Sequence, residues 1–127
     1  MKKLKVLIIE DEPMIAEMYK LQFSLDGYEV VLAKDGEEGL KAVAKEKPDL
    51  ILLDIIMPNV DGYEVLRKIR ANKETAQLLV CIVSNLEQIK EVKEGLSAGA
   101  DYYFTKSKYT PGELLNLVNQ AVASRKK

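Results

Sequence analysis

Five short apolar runs alternate with longer amphipathic stretches along this chain, and this alternation constrains the fold more than any other feature. Apolar runs without polar alternation are typical of strands that are buried on both faces, as in a parallel sheet covered by helices. The predicted strands are Lys5 to Glu10, Glu29 to Ala33, Leu50 to Asp54, Leu79 to Ser84 and Tyr102 to Thr105. The first, third and fourth are the most apolar, so we expect them at the centre. The pattern predicts an α/β fold with a single doubly wound, five-stranded parallel sheet.

The amphipathic stretches predict five helices between and after the strands. They run from about Met14 to Leu25, Glu37 to Lys45, Gly62 to Ala71, Glu87 to Ala98 and Pro111 to Ser124. Thr110 and Glu113 have the spacing of a capping box at the start of the last helix. Gly27 and Gly99 follow two predicted helix ends, where glycine favours termination. Gly95 lies inside the fourth helix and is expected to weaken it by about 1 kcal/mol relative to alanine.

Composition disfavours several classes of function. The 127 residues include 19 Lys+Arg against 20 Asp+Glu, mixed along the chain, which argues against a nucleic-acid binder built on a broad basic face. The apolar runs fall far short of the roughly 20 residues that span a bilayer, and no membrane partner is expected. The chain has no histidine, which removes Ser-His and Cys-His nucleophile pairs and histidine metal ligands. The lone Cys81 lies in an apolar run and is expected to be a buried thiol in a reducing compartment.

Polar residues occupy the carboxyl ends of the predicted strands, which is the edge where open parallel sheets bind ligands. The first strand ends in Glu10-Asp11-Glu12, the third in Asp54 and the fourth in Ser84, and Lys106 follows the fifth. Carboxylates that converge on one edge repel one another unless a cation lies between them. Oxygen ligands without histidine favour Mg²⁺, or alternatively Mn²⁺, over zinc. Because Mg²⁺ leaves coordination sites for phosphate oxygens, Asp54 is the candidate nucleophile toward a phosphoryl group.

Each of these residues also has a purely structural explanation. The acids at positions 10 to 12 could stabilise the start of the first helix through its dipole. Asp54 could cap a loop, and Ser84 could be a turn residue. Lys106 could be an ordinary surface lysine. The occurrence of complementary groups at four strand ends favours a site over these separate explanations.

The order and spacing of these residues resemble the receiver domain of two-component response regulators, which sensor histidine kinases phosphorylate on aspartate. The resemblance covers essentially the whole chain and is closest in kind to the chemotaxis receivers. It rests on Val6 to Glu12, Leu52 to Pro58, Asp61-Gly62, Ser84, Gly99 to Asp101 and Lys106. It implies a flavodoxin-like (βα)5 fold with strand order 2-1-3-4-5. It also implies one receiver domain over residues 1–127, located in the cytoplasm, with no output domain in this chain.

The resemblance implies that Asp54 accepts a phosphoryl group from a sensor histidine kinase or a phosphotransfer protein, in a Mg²⁺-dependent reaction. Asp11 and Asp54 would hold the ion, with Glu10 assisting through water. The backbone carbonyl of Ile56 would complete the protein ligands. Such a domain is a phospho-accepting signalling module that promotes only its own phosphorylation and dephosphorylation, rather than an enzyme that acts on an external substrate.

The resemblance also implies a switch. Ser84 and Lys106 would bind the phosphoryl oxygens, and Tyr103 would be the aromatic switch residue near the output face. A plain strand aromatic is the alternative for Tyr103. The fourth helix, fifth strand and fifth helix would then present a surface to a downstream protein or to a second copy of the chain, with no direct nucleic-acid contact.

Three positions depart from the family pattern. Ser107 stands where the family usually has a proline, often preceded by a cis bond, so we expect a trans bond here. Asn85 replaces the small residue that commonly follows the switch hydroxyl, and we expect this to alter access to the phosphoryl group. Ile56 is apolar where many relatives are polar, which leads to the hypothesis that it hinders an attacking water and slows self-dephosphorylation.

Three other functions remain as alternatives. A receiver fold could act as an interaction module without phosphorylation, although Asp11, Asp54, Ser84 and Lys106 argue against it. An aspartyl-nucleophile phosphatase that depends on Mg²⁺ would need an acid two residues after the nucleophile, where this chain has Ile56. A nucleotide-binding module would need a glycine-rich loop after the first strand, where this chain has acids.

Overall fold

The structure is a computed structural model that describes residues 3–57, 61–85 and 89–125. Its described strands form one parallel sheet in the order β2-β1-β3-β4-β5, which confirms the predicted fold class and strand order. The strands are β1 (Lys5–Ile9), β2 (Glu29–Ala33), β3 (Leu50–Leu53), β4 (Leu79–Ser84) and β5 (Tyr102–Thr105). The first and third strands end one residue earlier than predicted, so Glu10 and Asp54 lie just beyond the sheet rather than in its ladder.

Helices cover both faces of the sheet. They are α1 (Pro13–Leu25), α2 (Gly36–Glu46), α3 (Gly62–Ala71), α4 (Ile89–Ser97) and α5 (Pro111–Arg125). A short 3-10 turn over Lys106–Lys108 connects β5 toward α5. The predicted start of the fourth helix, Glu87, lies outside the described residues. None of the described helices combines the length and the apolar character needed to cross a bilayer.

Alternate strand residues supply two separate apolar layers, because successive side chains of a strand point to opposite faces. On one face, Val6 and Ile8 of β1 pack with buried aromatic side chains of α1, including Phe23, and with the apolar side of α5. On the other face, Leu7 and Ile9 pack with α2 and α3. The runs of β1, β3 and β4 are therefore buried on both sides and central, as predicted, whereas the edge strands β2 and β5 are only partly buried.

Local signals placed most helix ends correctly. Thr110 and Glu113 form the predicted capping box, with Thr110 Oγ1 accepting from the N–H of Glu113 at 3.1 Å and Glu113 Oε1 accepting from the N–H of Thr110 at 2.9 Å. Gly27 and Gly99 both have positive φ, as helix-terminating glycines do. No cis peptide bond occurs among the residues that the structure describes, so the bond before Ser107 is trans as predicted.

Gly95 has a packing role that its propensity does not reveal. A Cβ atom at this position would lie 2.7 Å from Cδ1 of Ile82 and 3.1 Å from Cδ2 of Tyr103. Glycine therefore lets α4 approach the sheet more closely than any other residue could. Glycine lowers the stability of the helix at this position, but any side chain here would prevent the close contact with the sheet.

Candidate functional site

The polar residues at the strand ends meet at one edge of the sheet because β1 and β3 are adjacent and in register. Ile9 of β1 pairs with Leu53 of β3, so the next residues, Glu10 and Asp54, emerge side by side. The N–H of Asp54 donates to the carbonyl of Ile9 at 3.0 Å, which holds the two chain segments together at this point. Lys106 reaches the same edge from the end of β5.

Lys106 binds both neighbouring carboxylates. Its Nζ atom lies 2.7 Å from Oε1 of Glu10 and 3.1 Å from Oδ2 of Asp54. The exposed fractions of the Lys106, Glu10 and Asp54 side chains are 11%, 2% and 7%, so this is a buried charge cluster. The alternative that Lys106 is an ordinary surface lysine therefore does not describe this structure.

Burial and the neighbouring charges have opposite effects on the pKa values of Glu10, Asp54 and Lys106. Burial raises the pKa of Glu10 and of Asp54, and the hydrogen bonds and charge of Lys106 offset part of that rise. Burial alone would lower the pKa of Lys106, but its bond to Glu10 and the fields of Asp54 and Glu10 outweigh it, so that pKa is raised. The cluster thus keeps its lysine charged.

Asp11 extends the cluster toward solvent. One carboxylate oxygen from each of Glu10, Asp11 and Asp54 lies within 4.8 Å of the others, a group that could share one ion. Three carboxylates without histidine or cysteine are the donor set that suits Mg²⁺ or Mn²⁺. The residues that are present therefore fit such an ion.

The acids before α1 do not serve as its cap. Oε2 of Glu10 accepts from the N–H of Glu12 at 3.1 Å, while its other oxygen binds Lys106. Glu12 stands at the N-cap position without a side-chain cap bond, and the first turn of α1 contains no acidic residue. Glu10 therefore binds Lys106 and the N–H of Glu12, and no cap bond from the acids at positions 10 to 12 accounts for the start of α1.

Ile56 lies at the outer rim of the cluster. Its N–H donates to Oδ1 of Asp54 at 3.3 Å, and its side chain is 57% exposed. The backbone bond helps to orient the carboxylate, and the apolar side chain is exposed to solvent. The structure thus places Ile56 beside the predicted acceptor.

Ser84 and Tyr103, the two predicted switch residues, lie near each other. Ser84 is fully buried at the end of β4. Burial raises the pKa of Tyr103, while the neighbouring Ser84 side chain lowers it. The role of Tyr103 as a switch aromatic stays a prediction.

Two residues of the site were not assigned a role from the sequence. A Cβ atom on Gly62 would lie 2.6 Å from the carbonyl oxygen of Asp54 and 2.6 Å from Cα of Ile55, so only glycine allows α3 to start against the end of β3. Tyr63 follows it, and its Oη donates to the carbonyl of Glu91 in α4 at 3.2 Å. The Asp61-Gly62 dipeptide was the available signal for the first residue, and no sequence signal pointed to the second.

Comparison with known proteins identifies relatives over nearly the whole chain. A family model described as the response regulator receiver domain matches residues 6–119. The chain is 37% identical over 102 residues to the DNA-binding dual master transcriptional regulator RpaA of Synechocystis sp., covering 80% of this chain and 42% of that protein. It is 39% identical over 110 residues to the alkaline phosphatase synthesis transcriptional regulatory protein PhoP of Bacillus subtilis, covering 87% and 45%. The matched segments therefore make up less than half the length of these curated relatives.

Solved structures with the same fold cover the chain almost completely. A putative response regulator from Chloroflexus aurantiacus superposes with a TM-score of 0.88 at 33% identity, covering 96% of this chain and 99% of that one. A CheY-like response regulator receiver domain protein from Methanospirillum hungatei superposes with a TM-score of 0.90 at 27% identity, covering 98% of each chain.

Proposed function

The chain belongs to the response regulator receiver domain family of two-component systems, and from this premise we propose that Asp54 accepts a phosphoryl group from a histidine kinase or a phosphotransfer protein. The observation that carries the proposal is the cluster around Asp54. An acceptor carboxylate, two further carboxylates that can share a cation, and a buried lysine lie within one small volume. This combination supplies a nucleophile and the positive charge that phosphoryl transfer requires.

The proposed reaction moves one phosphoryl group. An oxygen of Asp54 attacks the phosphorus of a phosphohistidine, an O–P bond forms and the N–P bond breaks, leaving the donor imidazole to take up a proton. Asp11 and Asp54 would bind Mg²⁺, with Glu10 and the Ile56 carbonyl assisting, and the ion would neutralise charge on the transferred oxygens. Lys106, already 3.1 Å from Asp54, needs only a small movement to bind those oxygens.

Switching follows from the added charge. A phosphoryl group brings close to two negative charges and several acceptor oxygens to Asp54. The Ser84 hydroxyl, at the end of the neighbouring strand, then has a stronger acceptor than the phenol of Tyr103. Movement of the Ser84 hydroxyl away from Tyr103 frees the ring, and the surface of α4, β5 and α5 shifts population toward a second arrangement.

The phosphoryl donor is proposed to dock on α1. Four large apolar side chains of this helix are exposed, at spacings of four, three and four residues along one face: Met14 81%, Met18 49%, Leu21 62% and Leu25 76%. The helix begins at Pro13, directly after the acids of the site, so a partner that delivers a phosphoryl group to Asp54 reaches this stripe. Exposed apolar rows of this kind are typical of protein contacts.

Among the described residues, the proposed output surface exposes fewer large apolar side chains than α1 does. On α4 and in the loop before α5, Leu96 is 46% exposed and Tyr109 is 36% exposed. We propose that this face binds the downstream protein or a second copy of the chain after switching. The relatives RpaA and PhoP are named as transcriptional regulators, and the matched segments cover only 42% and 45% of their lengths, so action by protein contact alone stays a prediction.

The decisive experiment is chemical phosphorylation. The full chain is incubated with Mg²⁺ and acetyl phosphate, and intact-mass spectrometry is expected to detect one added phosphoryl group. The addition is expected to disappear in Asp54→Asn and to persist in Asp26→Asn, a control on an exposed carboxylate that binds Asn119. No addition to the unmodified chain, with Mg²⁺ binding demonstrated separately, would replace the proposal with an interaction module that works without phosphorylation.

A further inference from the structure

We propose that Tyr63 is a positioning residue that holds α4 in its resting place, and that release of this residue favours the switched arrangement. The Oη atom of Tyr63 donates to the main-chain carbonyl of Glu91, in the first turns of α4, at 3.2 Å. Tyr63 is 8% exposed, so water competes poorly for this bond. The bond joins α3 to α4, two helices that are far apart in sequence.

The tyrosine is anchored firmly to the acceptor strand. Gly62, the preceding residue, packs directly against the carbonyl of Asp54, and its N–H donates to the carbonyl of Ile55 at 3.1 Å. The start of α3 therefore cannot move independently of the chain segment that carries Asp54. The Tyr63 hydroxyl is thus fixed relative to Asp54, and its hydrogen bond restrains α4.

The same face of α4 contacts the switch aromatic. Gly95 presents no side chain to Tyr103, and a Cβ atom at Gly95 would lie 3.1 Å from the Tyr103 ring. Glu91 and Gly95 are one helical turn apart, so the carbonyl that Tyr63 binds also receives the helix bond from the Gly95 N–H. When the Tyr103 ring moves away from Gly95, the hydrogen bond from Tyr63 to Glu91 still holds the same turn of α4.

The side chain of Glu91 favours movement of α4 and so opposes the effect of the Tyr63 hydrogen bond. Its Oε2 atom is buried and has no hydrogen-bond partner within residues 3–57, 61–85 and 89–125. A buried polar atom without a partner costs free energy that movement to a solvated position would recover. The bond from Tyr63 and the buried oxygen therefore act in opposite directions on one residue, which makes α4 suited to two alternative positions.

Two variants separate these contributions, and a third is the control. Tyr63→Phe removes only the hydroxyl. Glu91→Met removes the buried oxygen while keeping the side-chain length and a similar helix propensity. Tyr28→Phe is the matched control, because Tyr28 is equally buried, 6% exposed, and its hydroxyl binds Oδ1 of Asn119 in α5 at 2.6 Å on the other face of the sheet.

Hydrogen exchange, measured by mass spectrometry on the unphosphorylated full chain, reports how often the amide hydrogen bonds of α4 open. In Tyr63→Phe, amides in the segment 92–97 are expected to exchange about two- to tenfold faster, with β1 and β3 unchanged. In Glu91→Met the same amides are expected to exchange more slowly, and in Tyr28→Phe at the original rate. Equal rates in Tyr63→Phe and the unmodified chain would overturn the proposal, as would an equal acceleration in Tyr28→Phe.

The consequence for signalling rests on the proposed function and has its own readout. Beryllofluoride with Mg²⁺, used as a phosphoryl mimic, is expected to bind Tyr63→Phe about two- to tenfold more tightly, because less free energy is needed to reach the switched state. Unchanged affinity for beryllofluoride together with faster exchange in α4 would overturn the link between the Tyr63 hydrogen bond and the switch. If neither the unmodified chain nor any variant binds beryllofluoride, the proposed function fails. Hydrogen exchange would still decide whether Tyr63 holds α4.

Discussion

The ammonium group of Lys106 lies 2.7 Å from Oε1 of Glu10, across 96 residues of sequence. Glu10 is therefore more than an assisting metal ligand in this chain, since it forms the shorter of the two ion pairs that Lys106 makes. The pair keeps a positive charge beside Asp54 before any phosphoryl group or metal ion arrives. Its arrangement leads to a first prediction about stability.

Replacing Lys106 with methionine is expected to destabilise the protein by about 3–5 kcal/mol at neutral pH without Mg²⁺, because two buried carboxylates lose their cation. Burial already raises the pKa of Glu10 and of Asp54, and both are expected to rise further in the variant. A carboxyl whose folded pKa is raised stabilises most at low pH and loses that contribution as pH rises. The deficit should therefore shrink toward pH 4 in urea-unfolding measurements, and saturating Mg²⁺ should reduce it at neutral pH.

Lys68→Met is the control for this measurement. Lys68 forms an exposed pair with Glu64 at 3.8 Å, and its loss is expected to cost no more than about 0.5 kcal/mol at any pH. A Lys106→Met variant as stable as Lys68→Met at neutral pH, in the absence of metal, would contradict the account of the buried charge cluster.

Gly62→Ala is expected to cost about 1–3 kcal/mol, because the new Cβ would lie 2.6 Å from the backbone of Asp54 and Ile55, neither of which can move freely. Gly112→Ala, in the first turn of α5, meets no atom closer than 3.9 Å and is expected to stabilise by up to about 1 kcal/mol. Chemical denaturation of both variants measures the difference. Equal effects of the two substitutions would show that α3 can retreat from the acceptor strand at little cost.

Alkaline pH is expected to lower stability through Cys81. Burial raises the pKa of this thiol to about 12, whereas an unfolded cysteine titrates near 8.5. The unfolded chain therefore loses its proton first, and stability falls as pH rises between these values, by at most about 1.4 kcal/mol per pH unit. Cys81→Ala should remove this slope between about pH 8 and 9, a range that lies below the pKa of about 10 of unfolded tyrosine. An identical slope in both proteins would exclude Cys81 as the source.

Substitution of the α1 stripe is expected to separate two routes of phosphorylation. Leu21→Glu places a charge in the middle of the exposed row, so transfer from a phosphorylated histidine kinase that labels the unmodified chain should slow at least tenfold. Labelling by acetyl phosphate should not change, because Leu21 does not reach the site. Leu96→Glu, on α4, is the control that should leave kinase transfer unaffected, and equal slowing by both variants would argue against docking on α1.

Loss of the phosphoryl group is expected to depend on Ile56. Its side chain is exposed at the rim of the site, where an incoming water passes. Ile56→Asn should accelerate release of phosphate from the phosphorylated chain several-fold, because an amide can bind and orient that water. The time course of the phosphorylated mass measures the rate, and a slower or equal rate in Ile56→Asn would contradict the role given to the apolar side chain.

The fold was predictable because its main signal is local. Runs buried on both faces need no polar alternation, and each of the five runs is followed by a stretch that can form a helix, so β2, β4, β5 and α3 lie where the sequence predicts them. The strand order came from family resemblance. The grouping of Glu10, Asp11, Asp54 and Lys106 was also predictable, since parallel strands bring their carboxyl ends to one edge.

Contacts that depend on side-chain rotamers across distant segments were not predictable. Arg125 belongs to a short basic tail in the sequence, yet its Nη1 lies 3.0 Å from Oδ2 of Asp101. The same oxygen accepts from Nη2 of Arg70 and from the N–H of Val80, each at 2.9 Å. A basic residue at a chain end has no pattern that distinguishes a solvated side chain from one bound to an acid on another element.

The sequence by itself determined the α/β class and the edge at which acids, hydroxyl and lysine meet, because strand burial and the direction of parallel strands are properties of short segments. Only the tertiary structure decided that Lys106 pairs most closely with Glu10, that Ser84 lies near Tyr103, and that Tyr63 reaches α4. Hydrogen bonds form only within a few tenths of an ångström of their preferred distance. That precision comes from the packing of all the helices on the sheet, which no local pattern encodes.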